Sequence, residues 1–232
     1  MATATAHQPT PHRTMPVRRV RFAYPTGQQR QHFVSGDLVQ SNRIGTDITG
    51  KNPLGNGGNG VHLTGSAIAV GGGGASAGNI IAFNANDGVF VESGQNNSIS
   101  HNSIFANGNL GIELDAANSA NGSLPAPVLT SAVSSGGFTL LQGTLTTGVA
   151  FTTYTIEFYV NPASAPSPAE GETFLASFTV TTDGSGAASF ALGLPRSLSS
   201  GVQITATTTF SPRFPPGVAE TSEFSNSVAV TP

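Results

Sequence analysis

Asn79-Ile-Ile-Ala-Phe-Asn84-Ala-Asn-Asp-Gly88-Val89-Phe-Val91 is followed by Asn102-Ser-Ile-Phe-Ala-Asn107-Gly-Asn-Leu-Gly111-Ile112-Glu-Leu114, in which every landmark recurs 23 residues later. An imperfect third copy lies upstream. Asn42-Arg-Ile44 opens it and Asn56-Gly-Gly-Asn-Gly60-Val61-His-Leu63 closes it, with an insertion around Gly45–Pro53; the Gly-rich run Gly71–Gly74 lengthens the second copy. A repeat this short, carrying Val, Ile and Leu on period two, cannot hold a helical hairpin. It fits one coil of a β-solenoid, whose short strands stack on their equivalents about 4.8 Å apart. The expected apolar ladders are Val61, Val89 and Ile112, and Leu63, Val91 and Leu114. Asn tolerates a left-handed corner and can hydrogen-bond to the same amide one coil away. Two Asn ladders are therefore expected, Asn56–Asn84–Asn107 and Asn42–Asn79–Asn102.

Outward from the repeat, the pattern changes. After the turn-rich stretch Asn118–Pro127, seven strand-like runs follow: Val128–Val133, Phe138–Leu145, Thr153–Val160, Thr173–Thr182, Ala187–Leu194, Val202–Phe210 and Phe224–Thr231. Gly, Pro, Asp and Ser turns separate them, as an antiparallel sandwich requires. Tyr154, Ile156 and Phe158 alternate with Thr155, Glu157 and Tyr159, so the first set is expected in the core. Asp183-Gly184 reads as a tight hairpin turn, and Asn161–Pro168 as a long loop. The domain reading is a disordered basic tail over 1–36, coils over 37–124 and a sandwich over 125–232.

Composition fits this. Only 9% of residues are charged, and there are 29 Gly, a balance suited to short strands and tight turns rather than helices. Residues 1–36 carry Arg13, Arg18, Arg19, Arg21 and Arg30 and no acid; the rest carries 4 basic and 12 acidic residues. The patterned part is therefore acidic and a poor match to nucleic acid or an anionic membrane. No apolar run is long enough for a bilayer span. Thiol chemistry and disulfides are excluded by the absence of cysteine. Met1–Gln31 has no apolar signal-peptide core and reads as a solvated tail, or as a start assigned inside a longer gene.

The run Gln40-Ser-Asn-Arg-Ile-Gly-Thr-Asp-Ile-Thr-Gly-Lys-Asn-Pro-Leu-Gly-Asn-Gly-Gly-Asn-Gly-Val61 resembles the coils of bacterial right-handed parallel β-helix repeat proteins of the pectate-lyase-like superfamily. Thr153-Tyr-Thr-Ile-Glu-Phe-Tyr159, Gly171-Glu-Thr-Phe-Leu175 and Thr221-Ser-Glu-Phe-Ser-Asn-Ser-Val228 resemble the Ig-like sandwich that often ends such proteins. The resemblance covers about residues 37–232. It implies an all-β chain, a short right-handed parallel β-helix followed by an Ig-like antiparallel β-sandwich, from a secreted or cell-surface protein. The chain shows fewer coils than such proteins and lacks a cysteine pair that some carry.

The resemblance also raises polysaccharide cleavage, by Ca²⁺-dependent lyases with an Arg or Lys base or by hydrolases with paired carboxylates. On one coil face His62, Phe90 and Glu113 should stack, and beside them Thr64, Glu92 and Asp115. Glu92, Glu113 and Asp115 are thus the candidate catalytic acids, with Ca²⁺ as cofactor only under the lyase reading. Arg43 and Lys51 lie a coil away, and no Lys or Arg occurs between Lys51 and Arg196. As sugar platforms the chain offers His62, Phe90 and Tyr159. His62 and His101 otherwise read as exposed coil residues, no metal-ligand spacing is present, and Gly55–Gly60 precedes a strand, so it is no phosphate loop. Asn96-Asn-Ser98 and Asn121-Gly-Ser123 match glycosylation sequons. The expectation is a non-catalytic structural or adhesive module, in contact with polysaccharide or cell-surface components; the alternative is the remnant of a polysaccharide lyase or glycoside hydrolase.

Overall fold

A computed structural model describes residues 36–74, 76–164, 170–211 and 219–232, together with the backbone of Arg19–Val20 and His32–Phe33. Among the described residues the chain is all-β apart from two short 3₁₀ turns, Ala116–Asn118 and Ala120–Ser123.

The first eleven strands are two or three residues long: β1 (Arg19–Val20), β2 (His32–Phe33), β3 (Leu38–Val39), β4 (Arg43–Ile44), β5 (Val61–Leu63), β6 (Ala69–Gly71), β7 (Ile80–Ala82), β8 (Val89–Val91), β9 (Ser98–Ser100), β10 (Ser103–Phe105) and β11 (Ile112–Leu114). They form three parallel sheets, β1-β3-β6-β9, β4-β7-β10 and β2-β5-β8-β11. From β3 onward the chain visits the sheets in a fixed cyclic order, and each return stacks a strand on its predecessor, an arrangement compatible with a β-helix. The register is the one the repeat predicts. Val61 pairs with Val89 and Val89 with Ile112, Leu63 with Val91 and Val91 with Leu114. These six side chains join Val39, Ile44, Ile68, Val70, Ile81, Ile99 and Ile104 in one buried core. The period is 23 residues only between β7–β8 and β10–β11; the β6 to β9 step is 29, because longer loops intervene. Pairing also reaches back into the expected tail: β1 lies on β3 and β2 on β5, so the stacked part begins before residue 37. The rest of that tail lies outside the described residues.

Both Asn ladders form. Asn42 and Asn79 each donate Nδ2 to the next Oδ1, at 3.0 and 2.8 Å. Asn56 and Asn84 do the same at 2.8 Å each. Every one of these Oδ1 atoms also accepts the backbone N–H of the Asn before it. A third ladder, Asn97 to Asn121, was not foreseen. Asn121 is fully buried in it, its Nδ2 donating to the Asn97 and Thr221 carbonyls. At five ladder positions the left-handed corner falls not on the Asn but on the residue before it: Ser41, Phe83, Asn96, His101 and Ala106 have φ between 53 and 61°, whereas Asn121 is itself left-handed, at φ 44°. The Asn amide secures the corner from one position downstream.

The seven predicted strands of the second part are present, six of them within two residues of their expected ends: β12 (Val128–Ser135), β13 (Phe138–Thr146), β14 (Thr153–Asn161), β15 (Thr173–Thr181), β16 (Ala187–Leu194), β17 (Gln203–Phe210) and, after the short β18 (Glu220–Thr221), β19 (Val228–Thr231), which starts four residues late. They make a mixed, sandwich-like sheet ordered β15-β14-β17-β19-β12-β13-β16. Short β19 joins the two leaves: its first half runs antiparallel to β17 and its second half parallel to β12. Tyr154, Ile156 and Phe158 are buried as expected, in a second core separate from the first. Asp183-Gly184 is not a hairpin turn. β15 pairs only with β14 and β16 only with β13, so the chain crosses there from one leaf to the other. The loop expected over Asn161–Pro168 lies only partly within the described residues. Among the described residues no helix is long and apolar enough to cross a membrane.

Candidate functional site

Two places deserve the chemistry test: the outer face of the β5-β8-β11 sheet and the joint where the sandwich meets the last coil.

On the outer face, His62 pairs with Phe90 and Phe90 with Glu113, as the spacing predicts. His62 is not an exposed coil residue, however. It is buried, its ring lies 5.1 Å from that of Phe90, and its Nε2 is 2.6 Å from Glu92 Oε2. Glu92 is therefore engaged across to the earlier coil rather than with Asp115. Asp115 is engaged with its own chain: Oδ1 accepts the Ala117 N–H at 2.8 Å and Oδ2 the Asn118 amide at 2.8 Å, capping the 3₁₀ turn. Glu113 finds a partner that sequence reading missed. Asp87, buried at the turn one coil earlier, hydrogen-bonds it, and its Oδ1 also accepts the Leu110 N–H. Partial burial, the Asp87 contact and the nearby charges of Glu223 and Asp115 push the Glu113 carboxyl up to about 7. The expected trio thus divides into three separate engagements. A Ca²⁺ ion finds no fitting donor set in it, since Glu92 is held by His62, Asp115 by the cap and Glu113 by its contact with Asp87. Among the described residues no three His, Asp or Glu side chains converge as a metal requires.

Glu113 carries a pH prediction. Its folded-state value lies above the ordinary 4.5, so the folded chain binds the extra proton between about pH 4.5 and 7. Stability attributable to this group is complete below that window and is lost as pH rises through it. Solvent screening at this half-exposed carboxyl holds the loss to on the order of 1 kcal/mol. Urea unfolding at pH 4.5, 5.5 and 7.5 should show that decline in the parent, and Glu113→Gln should flatten it; an equal slope in both would refute the assignment.

The joint is more densely organised. Glu157, Thr205, Thr207 and Thr209 lie on the outer face of the β14-β17 leaf and are buried, as is Tyr159. Tyr159 is accordingly no sugar platform: it is 3% exposed, its hydroxyl donates to Glu157 at 2.6 Å, and burial beside that carboxylate pushes its own ionisation well above the usual tyrosine value. His101, also expected in solvent, stacks on Phe174 with ring centroids 4.1 Å apart and lies 3.0 Å from Glu157.

Each sheet of coils ends on a piece of the sandwich. The β9 sheet ends on Thr221, whose Oγ1 accepts the Ile99 N–H at 3.0 Å. The β10 sheet ends on Gly171, which exchanges two backbone hydrogen bonds with Ile104. The β11 sheet ends on Glu223, which accepts the Leu114 N–H at 2.9 Å. The corners end likewise. Glu170 Oε1 accepts both the backbone N–H (3.0 Å) and Nδ2 (2.9 Å) of Asn107, standing where the next Asn of the ladder would stand. Glu157 takes the His101 N–H and Glu220 the Asn96 N–H, each at 3.2 Å. Phe224 covers Gly111 and packs on the coil core. Four of the six acidic residues after Pro125 thus serve as acceptors for a single coil edge.

No known protein family matches the chain, and no curated protein is similar to it.

Proposed function

We propose that this chain is the capped end of a right-handed parallel β-helix of the pectate-lyase-like kind, with an Ig-like sandwich as its cap. On this reading it is a non-catalytic structural or adhesive module of a secreted or cell-surface protein, in contact with polysaccharide. The observation that carries the reading is the acceptance of the Asn96, His101, Asn107 and Leu114 amides by Glu220, Glu157, Glu170 and Glu223. An open coil edge is a template for pairing with another chain, and carboxylates that match its N–H groups close it. The parallel pairing of β19 with β12, and the leaf-to-leaf step from β15 to β16, support the Ig-like assignment. Amide hydrogen exchange on the full chain tests the cap. The Asn107 and Leu114 amides are expected to exchange at least about 100-fold more slowly than those of the Gly136–Gly137 turn. Exchange at the turn's rate would remove the reading.

One observation favours the second reading, a remnant polysaccharide lyase or hydrolase: a carboxyl titrating near neutrality beside a carboxylate is the usual provision for acid–base work. The geometry tells against it. Asp87 and Glu113 are in direct hydrogen-bond contact, whereas the two carboxyls of a glycosidase stand about 5 Å or more apart to flank the scissile bond. Assays on polygalacturonate, alginate and xylan with Ca²⁺ decide. Turnover lost in Asp87→Asn and Glu113→Gln would replace the first reading with the second.

A further inference from the structure

The sandwich carries a second feature at the end of β14 away from the coils, six residues along the strand from Tyr159. There the loop between β13 and β14 and the crossing between β15 and β16 are clasped together. Phe151 N–H donates to the Asp183 carbonyl, Thr182 Oγ1 to the Val149 carbonyl at 2.7 Å, and the Thr152 N–H to Thr182 Oγ1 at 3.0 Å. Thr147 and Gly148 donate to the Gly186 carbonyl, and a Cβ on Gly186 would meet Gly148 Cα at 2.5 Å, so only glycine permits the approach. This clasp holds Phe151 at φ 51° with 77% of its surface exposed. A bulky side chain is unusual in that conformation, and strained residues persist where their surroundings over-determine them, commonly at binding sites. The ring lies over Gly184, its Cζ 3.3 Å from where a Cβ on that glycine would sit.

Beside it is a cleft of about 430 Å³ lined by Thr144, Thr146, Thr181, Asp183, Ala188 and Ser189, among others. Its size is that of a small-molecule site. Asp183 Oδ1 accepts from the Ser185 N–H and hydroxyl and the Ala187 N–H, and these bonds keep the carboxyl below its ordinary range, hence ionised. The lining is four hydroxyls and a fixed carboxylate, with no Lys or Arg; Phe151 stands outside the lining and adjoins it through the bond from its N–H to the Asp183 carbonyl.

We propose that this cleft, with Phe151 beside it, binds a neutral carbohydrate. Sugar hydroxyls would donate to Asp183 and exchange hydrogen bonds with the Thr and Ser hydroxyls, while the C–H face of a ring lies on Phe151. A uronic acid polymer would bring like charge to Asp183 and find no cation. The inference deepens the polysaccharide contact of the preceding section by giving it a place and a chemical class. It does not depend on the capping role, which hydrogen exchange at Asn107 reads separately.

The test is an NMR titration of the full chain with cellohexaose, laminarihexaose, mannohexaose and, as the acidic comparator, oligogalacturonate. At least one neutral hexasaccharide is expected to shift the amides of Thr146, Thr181, Gly184 and Ser189. Phe151→Ala and Asp183→Asn should each weaken that binding by about tenfold or more. Phe151→Ala removes an exposed side chain and should leave the melting temperature unchanged, so it decides the matter even if Asp183→Asn disturbs its loop. Three outcomes would overturn the proposal: no neutral binding at ~5 mM sugar, equal affinity in Phe151→Ala, or shifts confined to Phe90 and Glu113 on the coil face.

Discussion

Gly88→Ala is expected to destabilise the coils by about 3 kcal/mol, a large penalty for one methyl group. Gly60, Gly88 and Gly111 occupy equivalent positions one coil apart. A Cβ on Gly88 would lie 2.6 Å from both the Gly111 carbonyl oxygen and Ile104 Cγ2, and one on Gly60 2.6 Å from Asn84 Nδ2 and 2.7 Å from the Gly88 oxygen. Two of these obstacles are backbone, so the rungs themselves must separate, and the Val89–Ile112 and Asn84–Asn107 contacts lengthen together. Gly58 is the control. Nothing lies within 4 Å of its would-be Cβ, and Gly58→Ala should change stability by no more than about 0.5 kcal/mol. The two cores are separate, so amide exchange in Gly88→Ala should accelerate in β8 and β11 far more than in β13 and β17. Equal melting of the two variants would mean that the rungs are not packed as closely as the register demands.

That glycine shows why the coils were legible in the sequence. Each rung contacts its own equivalent, so a requirement at Gly88 is repeated at Gly60 and Gly111, and one at Asn84 is repeated at Asn56 and Asn107. A contact between equivalents is written as periodicity. The Asn97–Asn121 ladder escaped because its members are 24 apart and its first rung is the backbone of Ile68, not another Asn. The corners were assigned one residue late for a similar reason: Ser41, Phe83, His101 and Ala106 share no chemistry, only a backbone angle. In the sandwich, alternation marked the core residues Tyr154, Ile156 and Phe158 correctly, yet alternation is blind to what covers the other face. Glu157 and Tyr159 were read as outward, and they are outward from their own sheet, but the last coil lies on them.

The candidate site was less legible still. Stacking on sheet β5-β8-β11 placed His62, Phe90 and Glu113 together, but side-chain reach then decided the partners, and reach is not periodic. Asp87 sits at a turn, out of phase with the strand residues, and so never entered the expected acidic cluster. The four capping glutamates lie 56 to 124 residues from the amides they accept. No local pattern carries such a pairing.

The second large effect belongs to those glutamates, and it separates hydrogen bonding from charge. Glu170→Leu leaves the Asn107 N–H and Nδ2 without the oxygen that now accepts both. Nδ2 keeps the Ile81 carbonyl at 3.1 Å, so the backbone N–H is the orphaned donor, and the loss should be about 1–3 kcal/mol. It should also reopen a coil corner to pairing, visible as concentration-dependent oligomers in light scattering. Glu170→Gln keeps an Oε1 in the same place. Burial already pushes the Glu170 carboxyl above its ordinary range, which means that the folded chain disfavours its charge. The amide should therefore be neutral to stability at low pH and raise it slightly once the pH is high enough to ionise the parent carboxyl, and the chain should stay as dispersed as the parent. The backbone carbonyl of residue 170, which accepts from Asn161 and Thr205, is untouched in both variants, so the contrast isolates the side chain. If Gln proves as damaging as Leu, then charge attraction and not the matched acceptor closes the edge. If neither variant matters, the sandwich holds the coils through Phe224, the Gly171 bridge and the amides accepted by Glu157, Glu220, Thr221 and Glu223, without need of the ladder's last rung.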